Sequence, residues 1–361
     1  MEDLSLNGML YPEKVFSISK EEKTELMIKE LNSLHAHHYQ NCPEYRKIID
    51  AKEGGLKEYS SIESFPYISV RLFKLLNLKS VKDDEIFKTV TSSGTSGNVS
   101  KIYLDKDLAA LQSKTLLTIM QNFVGTRRLP MLLCESNALV KNKASFSARS
   151  AGAIGFSFLG RKHTYLLNKD MELDEDALDE FFNQFKDEEI ILFGFTFMLY
   201  KFLIKELVNK GKTYPFKKVY VIHGGGWKKL QAEAVSNDEF KSLLKKIFPD
   251  VSVHNFYGMA EQTGSIYVEC ECGHLHTPAY SDVIIRDPVT FKEVENGKSG
   301  LVQVVSLLPK SYPGFSILTE DLGIVEGDDL CPCGRHGRFF RVLGRAKKSE
   351  VRGCSDTFEG K

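Results

Sequence analysis

Apolar residues along the first forty positions recur at helical spacing. Met27, Leu31 and Leu34 share one face, and Ser19 with Glu22 forms a capping box, so the pattern predicts a helix over 19–39. Histidines 35, 37 and 38 near its end raise the question of a metal. The favourable placement of cations at a helix C-terminus is the simpler expectation. From about residue 80 the period alternates. Ile102-Tyr103-Leu104 reads as a strand, and Asp105 can cap a helix carrying Leu108, Leu111 and Ile119. MLLC at 131–134 is a short apolar strand. Asp174 can cap a helix with Leu178, Phe181, Phe182 and Phe185 on one face. ILF at 191–193 is a strand, followed by a helix, YKFLIKELVNKG, that stops at Gly211. VYVIHGGG at 219–226 runs from strand into glycines, and SVHNFYG at 252–258 repeats the arrangement.

Strands alternating with helices predict an α/β fold whose sheets are mixed and mostly parallel, with crossover helices. Ligands of such sheets bind beyond the carboxyl ends of the strands, where Gly224, Gly225, Gly226 and Gly258 fall. After residue 265 the helices stop. IYVE, DVIIRD, LVQVVS and FSILTEDLGIVEG predict a small β-rich lobe. The expected organisation is a helical N-terminal segment (1–80) packed on the main domain, an α/β body (81–264), a β-rich lobe (265–343), and a short hinge and tail (344–361).

Charge and composition narrow the function. Lysine plus arginine and aspartate plus glutamate number 48 each, and 42% of the residues are apolar. This balance argues against a nucleic-acid or anionic-membrane partner. No apolar run is long enough to span a bilayer, and the acidic start MEDLSLNGML lacks a signal-peptide pattern. The expected location is the cytoplasm, where clustered cysteines serve metals or chemistry more often than disulfides.

The stretch TVTSSGTSGNVSK (89–101) concentrates glycines and hydroxyls ahead of a lysine. Glycine lets backbone N–H groups approach an anion, hydroxyls add donors, and lysine adds a point charge suited to phosphate. A nucleotide phosphate cradle is the functional reading, and a polar hairpin turn the plain one. Gly94 and Gly97 are too close for a Walker loop, and G-x-G-x-x-G is absent, so the segment predicts strand–loop–strand.

TSSGTSGNVSK, VIHGGGWKKL (221–230), NFYGMAEQTG (255–264), LTEDLG (318–323) and LGRAKKSEVRG (343–353) stand in an order that resembles the adenylate-forming superfamily, which activates carboxylic acids with ATP. Within it, FPYISVRLFK, YGMAEQTGSIYVEC, LLPKSYPGFSILTEDLG, CPCGR and GRAKKSEVRGCSDT resemble the acyl-protein synthetase (LuxE) family. That family is the synthetase component of a bacterial fatty-acid reductase, and the resemblance covers nearly the whole chain. It implies that Ser92, Ser93, Gly94, Thr95, Ser96, Gly97 and Lys101 hold the ATP phosphates. Gly224–Gly226 would wall the adenine, Tyr257 would stack on it, and Gly258 would lie beside it. Glu261 would help to hold Mg2+, Asp321 the ribose hydroxyls, and Arg345 the ribose or a phosphate. It also implies a truncated C-terminal domain, because the chain ends at Lys361 where the resembled ligases continue. The acyl group would pass from AMP to Cys354, with Lys347 in the hinge of the tail, and then to a partner acyl reductase. Phe146, Phe156, Phe158 and FGFTFMLY (193–200) are suited to an acyl pocket or equally to a core. A fatty acid as substrate follows from the resemblance.

Four of the seven cysteines form two C-x-C pairs, Cys270/Cys272 and Cys331/Cys333, with His274 and His276 close to the first. Four Cys/His donors suit structural Zn2+. Spacing leaves Cys272 and His274 open as alternatives. Similarity to phenylacetate–CoA-ligase-like enzymes implies Cys270, His276, Cys331 and Cys333. Two other functions compete with the synthetase: an acyl- or aryl-CoA or carrier-loading ligase, and a non-catalytic zinc-binding interaction module. The acidic residues Glu269, Glu271, Asp282, Glu326, Asp328 and Asp329 oppose a nucleic-acid role for such a module.

Overall fold

A computed structural model describes residues 6–92, 99–137 and 148–346. Its strands in chain order are β1 (Ile68–Ser69), β2 (Lys88–Thr91), β3 (Lys101–Leu104), β4 (Leu129–Ser136), β5 (Gly160–Leu167), β6 (Glu189–Phe195) and β7 (Lys218–Gly224). There follow β8 (Val251–Gly258), β9 (Ile266–Glu269), β10 (Leu275–His276), β11 (Ser281–Arg286), β12 (Ser299–Ser306), β13 (Ser316–Asp328) and β14 (Arg338–Arg345). The chain divides into two compact units, one built from residues up to 122 together with those from 257, the other from 123–256.

The 123–256 unit is the parallel α/β sheet expected from the alternating pattern. Its strands run β5-β4-β6-β7-β8, every neighbour parallel. All eight residues of β4 are buried, as are six of the seven in β6. A parallel sheet covered on both faces favours such continuous apolar strands. The helix Glu175–Phe185 is capped by Asp174, whose side chain accepts from Ala177 N, and it buries Leu178, Phe181 and Phe185. The helix after β6 runs from Thr196 to Asn209, with π-helical geometry over Leu199–Ile204, before Gly211 at φ 63° ends it.

The other unit holds an antiparallel sheet in the order β11-β12-β13-β14-β10-β9. Strand β1 adds to it in parallel, Ile68 opposite Ile317. The helix Lys20–Asn41 starts with the expected Ser19–Glu22 capping box. Asp329 in the β13–β14 turn caps it a second time, its two carboxylate oxygens accepting from Lys20 N at 3.1 and 3.0 Å.

The histidines of this helix correct the expectation of C-terminal cations. His35 and His38 have no exposed surface. Burial holds their pKa values down to about 4 and about 3, so both rings are neutral. His38 Nε2 donates to Pro309 O at 3.0 Å, and its Nδ1 accepts from the Ser80 hydroxyl at 2.8 Å. These rings are hydrogen-bonded core groups, flanked by Tyr45 and Phe315.

Candidate active site

Strands β2 and β3 form an antiparallel hairpin with Thr91 opposite Lys101, as strand–loop–strand requires. At its neck Ser92 N donates to Ser100 O at 3.1 Å, and Ser100 N donates to Ser92 Oγ at 3.0 Å. Ser93, Gly94, Thr95, Ser96 and Gly97 lie outside the described residues, as do Phe146, Lys347 and Cys354. Lys101 is exposed on β3.

Glu261 sits in the short 3-10 turn Ala260–Gln262 after β8 and is 7% exposed. Buried bonds on both sides fix the turn. Gln262 Nε2 donates to Val304 O and Gly314 O, and Thr263 N donates to the Tyr312 hydroxyl. Gly314 allows the close packing: a Cβ there would come within 2.8 Å of Glu261 O. Burial pushes the Glu261 carboxyl pKa up, and the nearby Ser100 hydroxyl is the largest influence holding it down.

Three other expected residues meet in the same unit. The Tyr257 hydroxyl donates to Asp321 Oδ2 at 2.7 Å. Arg345 Nε lies 3.6 Å from Asp321 Oδ1, because β13 and β14 pair Asp321 directly with Arg345. Burial raises the Asp321 pKa, opposed first by the Tyr257 hydrogen bond and then by Arg345. The carboxylate is thus already oriented, with hydroxyl and guanidinium groups beside it. Gly258 packs its Cα face on Ile266, where a Cβ would come within 3.0 Å.

In the parallel unit, Gly224 ends β7 and Gly225 takes φ 80°. A Cβ on Gly224 would meet the Phe256 ring at 2.6 Å, while one on Gly226 would meet open space. Of the aromatics suggested for an acyl pocket, Phe156 stacks on Phe193 at 4.6 Å and packs on Phe256, whereas Phe158 is 57% exposed.

The C-x-C pairs fold as two matching turns. Gly273 N donates to Cys270 O and Gly334 N to Cys331 O, with both glycines at positive φ. The Sγ atoms of Cys270, Cys331 and Cys333 and one ring nitrogen of His276 all lie within 4.8 Å of one another. Cys270 Sγ is 3.8 Å from Cys331 Sγ, and two thiolates bound tetrahedrally at zinc are separated by about 3.8 Å. His276 Nε2 is 3.3 Å from Cys333 Sγ. The donor set therefore fits zinc. Cys272 is exposed and takes no part. His274 forms an outer layer, with Nδ1 3.3 Å from Cys331 Sγ and Nε2 3.4 Å from Glu326 Oε2. The open choice between these residues depended on which side chains turn inward, which spacing does not encode.

The family model for acyl-protein synthetase, LuxE, matches residues 3–361. The chain belongs to this family. Two relatives extend the match. The long-chain-fatty-acid–luciferin-component ligase of Vibrio harveyi is 26% identical over 350 residues, covering 93% of this chain and 88% of the relative. The ligase of the same name from Aliivibrio fischeri is 23% identical over 362 residues, covering 97% and 92%. Among solved structures, the open conformation of 2-hydroxyisobutyryl-CoA ligase in complex with 2-HIB-AMP and CoA superposes with a TM-score of 0.71 at 17% identity. That match covers 91% of this chain and 76% of the ligase, and the same ligase in its thioesterification state gives 0.70. The likeness shows a shared adenylate-forming fold. The synthetase is thus a ligase that activates a carboxylic acid with ATP and transfers the acyl group. No described helix is long and apolar enough to cross a membrane.

Proposed function

We propose that the synthetase converts a fatty acid and ATP to acyl-adenylate and pyrophosphate, then carries the acyl group on Cys354 to a partner acyl reductase in the cytoplasm. The observation that carries this reading is the preset cluster of Tyr257, Asp321 and Arg345 on paired elements. A half-buried carboxylate held by a phenol and flanked by a guanidinium suits ribose hydroxyls and a neighbouring phosphate. The fatty acid comes from the named substrate class of the two bacterial relatives.

In the first step a carboxylate oxygen attacks the α-phosphorus of ATP, and the bond to the β-phosphate bridge breaks. The nucleophile is already ionised, so the protein's task is to hold two anions together. Lys101 and Arg345 supply positive charge, and the 92–97 loop supplies hydroxyl and backbone donors. Tyr257 would stack on the adenine. Glu261 would hold Mg2+, which offsets phosphate charge when bound. In the second step the Cys354 thiolate attacks the acyl carbon, the bond to the phosphate oxygen breaks, and AMP leaves. Arg352 and Lys347, close in sequence, favour the thiolate. Cys270, His276, Cys331 and Cys333 would hold a zinc ion that cross-links β9–β10 to the β13–β14 turn and plays no part in either step.

The test is intact mass after incubation with Mg-ATP and a panel of fatty and aryl acids, without coenzyme A. A hydroxylamine-labile acyl adduct absent from Cys354→Ser is the expected result. ATP–pyrophosphate exchange without any adduct would move the acceptor to coenzyme A or a carrier thiol. Neither adduct nor exchange with any acid would overturn the adenylation reading.

A further inference from the structure

Neither proposed step draws on FPYISVRLFK (65–74). This stretch contains β1, which lies on the same edge of β13 as β14. Strand β12 takes the opposite edge, with Val304 opposite Ile317 and Leu301 opposite Leu322. On the shared edge β1 sets Ile68 opposite Ile317 and Ser69 opposite Leu318, while β14 sets Arg345 opposite Asp321. Strand β1 is parallel to β13 and β14 is antiparallel to it, so the two run toward each other and meet at Glu320. From one side Val70 N donates to Leu318 O at 3.0 Å, and the Arg71 guanidinium pairs with the Glu320 carboxylate. From the other side Ala346 N donates to Glu320 O at 2.9 Å, the last β13–β14 bond among the described residues. An open strand edge invites further pairing. Here β1 fills the positions on β13 that β14 would take next. It is firmly anchored there: Phe65, Ile68 and Phe73 are buried, and the Phe73 ring meets Tyr312 edge-on at 6.1 Å.

We infer that Arg71 is a positioning residue for the acyl-transfer step: by holding Glu320 it fixes the point at which the Cys354-bearing tail departs from β13. The inference rests on the reading of Cys354 as the acyl acceptor. In that reading the thiolate must be brought onto the acyl carbon of the adenylate, and a displacement at the root of the tail misplaces the attacking sulfur. The Arg71 side chain is 58% exposed and that of Glu320 19%. So exposed a pair adds little to stability, and its effect belongs to placement. Adenylation does not depend on the pair in the same way. Tyr257 and the β13–β14 register hold Asp321 and Arg345 together without Arg71.

The experiment uses the full chain with Mg-ATP and the acid that gives the wild type its largest adduct, without coenzyme A. ATP–pyrophosphate exchange reads adenylation. Intact mass over a single turnover reads the hydroxylamine-labile adduct on Cys354. Arg71→Glu sets like charges together at Glu320. It is expected to slow adduct formation about tenfold and to leave exchange unchanged. The exposed position predicts that this variant folds, and a thermal melt checks it. Glu320→Arg alone should slow transfer in the same way, and the swap, Arg71→Glu with Glu320→Arg, should recover the wild-type rate. A pair that merely braces the sheet would lower exchange and adduct formation together, and that result would overturn the inference. So would a wild-type transfer rate in Arg71→Glu, or a swap that recovers nothing. In each of these cases a wild-type adduct on Cys354 leaves the acceptor reading intact. Exchange without any adduct in the wild type would overturn the acceptor reading and this inference together.

Discussion

His38 has the same side chain as an exposed histidine and different chemistry, because burial removes the water that would solvate its charge. Its folded pKa of about 3 lies below the ordinary value of 6.5. Between those values the unfolded chain carries a proton that the native ring does not. Stability therefore rises with pH across this window and falls as the solution is acidified from 6.5 toward 3. Replacing His38 with Gln should lower stability at neutral pH and flatten this dependence by up to one proton, about 1.4 kcal/mol per pH unit. Denaturant midpoints measured between pH 6 and pH 4.5 check it, and an unchanged slope would show that His38 is not buried neutral. The same comparison of residue type with surroundings applies at the site. Tyr257 is an aromatic at the end of an apolar strand, yet its hydroxyl is committed to Asp321. That contact is the reason Tyr257 is proposed as a site residue.

Elements are held by contacts that their own sequences do not announce. The helix Lys20–Asn41 carries a local cap in Ser19, but Asp329 secures the same end from more than three hundred residues away. Asp329 also accepts from Gly337 N at 2.6 Å, and it takes a left-handed φ of 58° that alanine disfavours. Asp329→Ala strands two part-buried donors and strains the turn, and should cost about 2 kcal/mol. Asp329→Asn keeps an acceptor and tolerates that backbone, so it should cost clearly less. Equilibrium unfolding of the two variants separates these outcomes, and equal losses would contradict the double-capping account. The hairpin β2–β3 behaves in the opposite way. Its strands and intervening polar loop were readable locally, because turn chemistry acts over a few residues.

At the scale of the whole molecule, the two C-x-C turns come together only when the antiparallel sheet forms. His276 lies opposite Phe339 and Val268, which brings β10 between β14 and β9 and sets the two turns side by side. The purified protein should contain about one zinc per chain. Cys331→Ser should lose it with a fall in melting temperature, whereas Cys272→Ser should keep it, since Cys272 faces solvent. Elemental analysis and thermal melts read both, and equal zinc loss from the two variants would refute the ligand set.

The sequence by itself determined the α/β alternation, the Ser19–Glu22 capping box, the strand–loop–strand at 88–104 and the membership of the acyl-protein synthetase family. Those features depend on residues two to four positions apart or on ordered motifs, and both are visible in one dimension. Only the tertiary structure decided that His35 and His38 are neutral core groups and that Cys272 stays outside the cysteine cluster. Each of these depends on strand register and on exclusion of water by segments far away in the chain. A one-residue shift in register turns a side chain to the opposite face, and only the folded sheet fixes that choice.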